Sequence, residues 1–439
     1  MDLSYKQLFT QNRNFRNLFW GQLISELGNW FNFVAGLGLV RLVSDESPIA
    51  AGMLLFWRTL PFALLMPLAG AVADRFSRKM VLIVTDLLRF FFALLFLLIT
   101  GPEHLWLAYF ASILLSSATA FFDGAKNAAT PNITGKDGLL SGTALMFSSR
   151  FLLMFIGGAL GGFAAVFFGY KIAFIINSVS FLGSAISIWL IPADAMREKS
   201  VEQRREELAA GIKWGFASEI KDGFVYTVKN RFALTILLMN IIWATGGGAT
   251  NIIFEGLGTQ IFTNYENKDL VYSVLLSVNG LGLAIGMFIA HPVAGFVERK
   301  SITREFIGWA LIAHGIFFAI GGYMPTLWLV AVFVVISRVL IGAEYAVQET
   351  LFQRSLPDYI RGRISTLDRG AEITMFSVSS FAAGVSLTVI SAQLLAVIAG
   401  LMASASGIVW FLRTPKNGDQ IPDSEREQFE SLETDRLEV

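Results

Sequence analysis

The sequence is constrained most by a short charged turn between two long apolar runs. The turn reads Gly70-Ala71-Val72-Ala73-Asp74-Arg75-Phe76-Ser77-Arg78-Lys79. Residues 49–73 on one side contain a single ionisable side chain, Arg58, and residues 80–100 on the other contain only Asp86 and Arg89. A run of roughly 20 apolar residues can cross the hydrocarbon core of a bilayer as a helix. The pattern therefore predicts a transmembrane helical hairpin.

The same pattern continues along the chain, which is 54% hydrophobic and only 15% charged. Soluble domains carry about 25% charged residues, so the composition favours an all-α membrane protein. The apolar spans are residues 17–41, 49–73, 80–100, 104–123, 139–168, 172–192, 232–257, 271–296, 304–322, 326–350, 363–391 and 393–413. We predict a six-helix bundle over residues 1–192, a linker over 193–231, a second six-helix bundle over 232–413 and an acidic, disordered tail over 414–439.

Several classes of function are disfavoured by what the sequence lacks. There is no cysteine, which excludes disulfides and thiolate metal sites. The three histidines are scattered, and no nucleotide-binding loop is present, so we predict no metal, no cofactor and no ATP-driven step. The formal net charge is zero, which argues against a nucleic-acid partner. We do not expect an enzyme.

The distribution of Lys and Arg predicts the orientation. If the N-terminus is cytoplasmic, most loop cations fall on the inner side, and the outer loops carry only Arg41, Lys171 and Lys268. This is the positive-inside bias, and it places both termini in the cytoplasm. We expect a multi-pass protein of the cell inner membrane.

The linker and the two halves carry their own patterns. Leu208, Ile212, Phe216 and Ile220 recur at helical spacing within the charged linker, which fits either an interfacial amphipathic helix or a solvated linker helix. The pair Asp74-Arg75 is echoed by Glu298-Arg299, and Pro131-Asn132-Ile133 is echoed by Pro357-Asp358-Tyr359 at nearly the same offset. Such echoes favour two duplicated halves.

The charged turn suggests a cytoplasmic gate. Gly70 allows a close helix approach, and Asp74 can accept hydrogen bonds from the N-terminus of a helix that begins near Gly362. Arg75 is expected to reach Asp123 at the inner end of the fourth span. The alternative is that these cations only enforce topology. The predicted gate residues are Gly70, Asp74, Arg75, Arg78, Lys79, Asp123, Glu298 and Arg299.

Polar residues within the spans are candidates for substrate and proton binding, because ionisable groups are costly inside a membrane. They are Glu26, Asn29, Asn32, Arg150, Asn240, Arg338, Asp368 and Glu372. Glu26, Asp368 or Glu372 is expected to carry a proton or meet a cationic part of the substrate. Arg150 or Arg338 would supply a counter-charge or bind an anionic group. The alternative is structural pairing: Asp86 with Arg89, Asp368 with Arg369 or Arg338, and Arg58 packed under Pro61.

Several stretches together resemble a known family. They are the charged turn, Ser25–Trp30, Arg58–Pro61, Asp86–Arg89, Asn127–Ile133 and Gln353–Arg363. Over nearly its whole length the chain resembles the major facilitator superfamily, and most closely its branch of macrolide and enterobactin exporters. Residues 157–162 look like the glycine-rich antiporter motif of that family but lack its usual proline. The resemblance implies a twelve-helix secondary transporter that works by alternating access.

We therefore expect a monomeric transporter that exports amphipathic small molecules, such as drugs or siderophore-like metabolites, in exchange for protons. Its partners would be the substrate, protons and the lipid bilayer. Three alternatives remain open: a lysophospholipid transporter or flippase, an importer of metal ions or small nutrients, and a membrane sensor or scaffold that transports nothing. A protein that never rocks would not need the gate, which argues against the last.

Overall fold

The computed structural model describes residues 3–196, 216–265 and 267–414. In the described residues the secondary structure is helical. The α-helices are α1 (Tyr5–Gln11), α2 (Arg13–Val43), α3 (Pro48–Arg75), α4 (Arg78–Leu94), α5 (Leu105–Phe168), α6 (Tyr170–Trp189), α7 (Phe216–Lys229), α8 (Arg231–Gly247), α9 (Thr250–Gly256), α10 (Lys268–Arg299), α11 (Thr303–Gly322), α12 (Leu327–Ser355), α13 (Asp358–Ser386) and α14 (Ala392–Arg413). Short 3₁₀ turns lie at Leu95–Leu98, Pro102–His104 and Ala193–Met196, and a π turn at Leu257–Ile261 continues α9.

Within the described ranges, eleven helical segments are long and apolar enough to cross a membrane. Helix α5 supplies two of them, Pro102–Gly135 and Asp137–Phe168, because the chain reverses at Gly135, whose φ of 66° suits a residue without a Cβ. Helix α13 is of similar length but carries Asp368, Arg369 and Glu372 in its middle. It packs against α3 and α8. The predicted all-α membrane fold is confirmed.

One predicted boundary is wrong. The sequence predicts that the fourth apolar span ends at residue 123. The helix instead continues through Asp123 and Pro131 to Gly135. The polar residues after Asp123 remain helical, and the Lys126 ammonium pairs with the Asp123 carboxylate 2.7 Å away, one turn along the same helix. Asp123 is therefore not at a helix end.

Two helix pairs join the halves of the molecule, α3 with α13 and the second part of α5 with α10. Helices α3 and α13 are antiparallel, since Gly52 lies against Gly384 and the hydroxyls of Thr59 and Ser377 are 2.6 Å apart. The start of α13 therefore lies on the same face as the end of α3. Helix α2 begins and α14 ends on that same face. We call it the terminal face, and we call the other side of the molecule the opposite face.

Among the described glycines, the closest approaches between the halves lie on the opposite face and in the middle. A Cβ built on Gly384 would lie 2.5 Å from the Pro48 carbonyl oxygen, and one on Gly280 would lie 2.6 Å from the Phe155 nitrogen. Towards the terminal face, a Cβ on Gly70 or Gly362 would meet nothing within 4 Å. The helices therefore diverge, and the space between the halves opens on the terminal face.

The structure covers the predicted linker only in part. Helix α7 packs on α13, where the backbone of Gly223 faces Arg363. Leu208 and Ile212 of the predicted amphipathic stripe, and the acidic tail after Thr414, lie outside the described residues. The division into domains stays a prediction.

The glycine contacts predict that two glycine-to-alanine substitutions will differ in their effect on stability. We expect Gly384→Ala to lower the melting temperature of the purified protein, because the added Cβ meets backbone atoms of α3 that cannot move aside. Overpacking of this kind costs about 1–3 kcal/mol. Gly295→Ala is the matched control, since a Cβ there meets nothing within 4 Å. Equal melting temperatures for the two variants would contradict the close approach of α3 and α13.

Candidate functional site

The candidate site is a cavity of about 250 Å³ between α3 of the first half and α12 and α13 of the second. It lies towards the terminal face, near the turn that joins α12 to α13. Its lining combines apolar, hydroxyl and charged groups: Met66, Tyr345, Glu349, Phe352, Ser365, Thr366, Asp368 and Arg369. Helix α13 can carry these polar side chains through a membrane because they face this space and one another.

A hydrogen-bonded chain holds Asp368 at the wall of this cavity. The Gln348 amide donates to the side-chain oxygen of Asn240 at 3.0 Å, and the Asn240 amide donates to Asp368 Oδ2 at 2.9 Å. Asp368 Oδ1 has no hydrogen-bond partner in the described structure. Asp368 is therefore positioned by an amide, with no cation paired to it among the described ion pairs, and its second oxygen is buried without a hydrogen-bond partner.

Arg369 and Glu372 form an ion pair on the same helix. The guanidinium of Arg369 donates to Glu372 Oε2 at 2.8 Å and to the Tyr345 hydroxyl at 3.3 Å. The expected pairing of Asp368 with Arg369 or Arg338 is absent from the ion pairs of the described residues. Arg338 instead donates to the Thr250 hydroxyl at 2.9 Å and lies over the Phe318 ring, buried away from the cavity.

The first half contributes a cationic group of residues. Arg58 donates to the Asn32 side chain at 2.9 Å and to the Asn29 carbonyl at 3.2 Å. Glu26 lies 3.8 Å from Arg150. The side chain of Arg150 is half exposed, and that of Glu26 is 22% exposed. The structure thus brings the predicted residues of α2 together with Arg58 and Arg150.

The Asp86–Arg89 pair is structural, as the pairing alternative predicted. The two side chains form a fully buried ion pair, and the guanidinium lies between the rings of Phe122 and Phe181. A pair three residues apart on one helix is within reach from sequence spacing alone.

The opposite face is closed by a buried ion cluster that the sequence analysis missed. Arg41 at the end of α2 pairs with Glu255 of α9 at 2.6 Å and with Asp269 of α10. Asp269 also accepts a hydrogen bond of 2.7 Å from the Tyr170 hydroxyl. We call Arg41, Tyr170, Glu255 and Asp269 the opposite-face cluster. Lys268 and Glu46 form a further pair beside it. From the sequence, Arg41 and Lys268 are only outer-loop cations. The feature that could have revealed the cluster is Glu255, an ionisable residue inside an apolar span.

The described contacts of the predicted gate residues lie within single halves. Gly70 is open, Arg75 is exposed, and Asp123 pairs with Lys126 rather than with Arg75. Other gate residues also contact groups of their own half: Arg78 donates to the Ala128 carbonyl, Lys79 to the Trp189 and Ile191 carbonyls, Arg299 to the Gly295 carbonyl, and Glu298 pairs with Arg354. The side chain of Asp74 lies outside the described part. The gate remains a prediction for a conformation closed on the terminal face.

Comparison with known proteins identifies the family. The Major Facilitator Superfamily model matches residues 18–367. The chain belongs to the major facilitator superfamily. It is 28% identical over 211 residues to the uncharacterized MFS-type transporter YfiS of Bacillus subtilis, a match that covers 48% of the chain and spans only half the length of YfiS. It is 26% identical over 336 residues to YkuC of the same organism, another uncharacterized MFS-type transporter, covering 72% of each.

Solved transporters share the fold at low sequence identity. A nucleoside transporter NupG mutant aligns over 92% of this chain and 100% of its own, with a TM-score of 0.71 and 11% identity. A bacterial homologue of the iron transporter ferroportin, in an inward-facing state, aligns over 92% of this chain and 99% of its own, with a TM-score of 0.68 and 14% identity. Identities this low show the fold alone, and family membership establishes a membrane transporter rather than an enzyme.

The opposite-face cluster makes a conformational prediction. Removing Arg41 leaves two buried carboxylates uncompensated, and breaking a buried pair in this way costs about 3–5 kcal/mol. We expect Arg41→Gln to shift the protein towards a state open on the opposite face. Spin labels on cysteines introduced at Trp106 and Val389, exposed positions in different halves, would then report longer and broader distances. The cysteine-free sequence makes this labelling selective.

Arg354→Gln is the matched control for this measurement. Arg354 pairs with Glu298 within one half, and both side chains are more than half exposed, so the pair is worth only about 0–1 kcal/mol. Its distance distribution should equal that of the wild type. An unchanged distribution in Arg41→Gln would show that the cluster does not hold the opposite face closed.

Proposed function

We propose that the protein exports amphipathic cationic small molecules from the cytoplasm in exchange for protons, as the exporter branch it resembles would. The observation that carries this proposal is the composition of the cavity wall. Glu349 and Asp368 present carboxylates beside the apolar and aromatic surfaces of Met66, Tyr345 and Phe352. Such a wall suits a ligand with both an amine and an apolar body.

The balance of charge around the cavity supports a cationic ligand. Arg369 is engaged by Glu372, whereas Asp368 has an amide partner and a second oxygen without a partner among the described residues. A ligand ammonium at Asp368 would form a charge-assisted hydrogen bond, which is stronger than a neutral one. Glu26, beside Arg150 in the other half, is a second carboxylate available to the substrate or a proton.

The direction of transport is part of the proposal. The Lys and Arg bias assigns the terminal face to the cytoplasm, so the cavity described here would receive its ligand from inside the cell. The glycines of residues 157–162 support rocking. Gly157 and Gly161 pack on α2, and Gly158 and Gly162 face Leu276, Ser277 and Ser273 of α10 across the two halves. The antiporter-like motif would thus lie at the contact between the two halves, which must rearrange when the transporter rocks.

The test is transport by proteoliposomes under an imposed pH gradient, with ethidium and lysophosphatidylcholine as probes. We expect ethidium to move against protons, and Asp368→Asn to reduce its transport about tenfold or more, since a hydrogen bond to a charged group is worth about 1.5–3 kcal/mol. Glu103→Gln, an exposed residue on the opposite face, is the control and should behave as the wild type.

A different outcome would redirect the proposal. If lysophosphatidylcholine moved without a proton signal, and neither Asp368→Asn nor Glu26→Gln changed its rate, the protein would be a lipid transporter. Arg58 and Arg150 would then be the residues that meet its phosphate.

A further inference from the structure

Glu344 of α12 is a buried carboxylate without a partner. The residue is 1% exposed, and neither side-chain oxygen has a hydrogen bond in the described structure. An ionised carboxylate in such surroundings costs several kcal/mol unless it is paired with a cation or hydrogen-bonded. The buried carboxylate is therefore stabilised by a bound positive charge. A proton on the carboxylate supplies that charge.

The helices around Glu344 are tightly packed and mostly apolar. Helix α12 crosses α10 next to Glu344, where a Cβ on Gly286 would lie 2.9 Å from both the Ala343 nitrogen and the Gly342 Cα. Ile341 and Val347, one turn to either side, belong to the buried apolar cluster of the second half. Packing of this density holds the carboxylate away from solvent.

The charged and titratable groups on the surrounding helices are engaged elsewhere. Arg338 of α12 donates to Thr250, and His314 of α11 is hydrogen-bonded to Ser337. On α13, Arg369 pairs with Glu372, and Asp368 accepts from Asn240. His291 of α10 is exposed on the surface. These groups therefore leave the Glu344 carboxylate without an ionic partner.

We propose that Glu344 is the site that holds the exchanged proton. The proposal rests on the proposed function and adds a residue that the cavity itself does not include. A metal cation would need several oxygen ligands, and no cluster of His, Asp and Glu side chains suited to a metal occurs in the described ranges. A proton needs only the carboxylate.

A route for coupling to the substrate follows from the neighbouring residues. Gln348 lies one turn after Glu344 on the same face of α12, and it is the first member of the chain Gln348–Asn240–Asp368 that ends at the cavity wall. A cationic ligand at Asp368 adds positive charge a few side chains from Glu344. Coulomb repulsion then disfavours the proton on Glu344, so substrate and proton exclude one another, as antiport requires.

The experiment compares wild type and Glu344→Gln in two measurements. In detergent, ethidium binding should release protons from the wild type, and the number released should fall by about one per transporter in the variant. In proteoliposomes, the variant should lose accumulation of ethidium driven by a pH gradient while keeping its downhill movement. The dissociation constant for ethidium should fall with rising pH in the wild type, which means tighter binding. It should change less in the variant.

The controls separate this site from the cavity. Glu103→Gln should release protons and accumulate ethidium as the wild type does, and Asp368→Asn should lose ethidium binding itself. Proton release of wild-type stoichiometry in Glu344→Gln, with ethidium still bound, would overturn the assignment while leaving the exporter proposal intact. If wild-type protein transports no cation at all, the proposed function fails instead.

A second measurement addresses a glutamine variant that fails to fold. A protonated carboxyl group has its own carbonyl stretching band in infrared difference spectra, and ethidium binding to the wild type should remove that band. Glu344→Asp retains a carboxyl group and should shift the band. A band at the same position in both proteins would show that the proton is held elsewhere.

Discussion

One buried guanidinium, that of Arg41, links the two halves of the molecule on the opposite face. It lies at the end of α2 in the first half, and both of its carboxylate partners, Glu255 and Asp269, belong to the second half. Charges enclosed by protein need their partners, because neither member of a broken pair is compensated while it stays buried. The halves can separate on this face only by admitting water to the whole cluster. Closure is thus cooperative rather than gradual.

Helices α3 and α13 are in close contact near the closed face, and the cavity lies farther along the same pair. Gly52 and Gly384 bring α3 and α13 into backbone contact near the opposite face. Met66, which lines the cavity, is about 20 Å further along α3 at a rise of 1.5 Å per residue. Contact near one end of this helix pair and a cavity farther along it mean that α3 and α13 separate towards the terminal face.

The fold was largely predictable from the sequence because the membrane permits few alternatives. Spanning segments must be helical and apolar, so their number and approximate bounds could be derived from composition. Residues 124–135 are the exception, because a cluster of polar residues is also typical of the end of a membrane-spanning helix. Polar residues can stay helical when they lie near a membrane surface and pair locally, as Asp123 does with Lys126.

The candidate site was predictable as a set of residues but not as a set of contacts. Asp86 and Arg89 are three residues apart, so their pairing could be predicted. Glu26 has no cation nearby on its own helix, and its neighbour Arg150 comes from a distant part of the chain. The same holds for Arg41 and Glu255. Pairings between segments far apart in sequence depend on how the helices cross, which hydropathy does not determine.

The charged residues that line the cavity, Glu349, Asp368 and Arg369, belong to the second half. Arg58 and Arg150 lie in the first half, whereas Glu349, Asp368 and the enclosed Glu344 belong to the second. Carboxylates that share one low-dielectric region compete for the same positive charge, so a proton and a cationic ligand cannot both be held there without cost. In the proposed function, exchange of a proton on Glu344 for a ligand at Asp368 therefore changes the charge state of the second half.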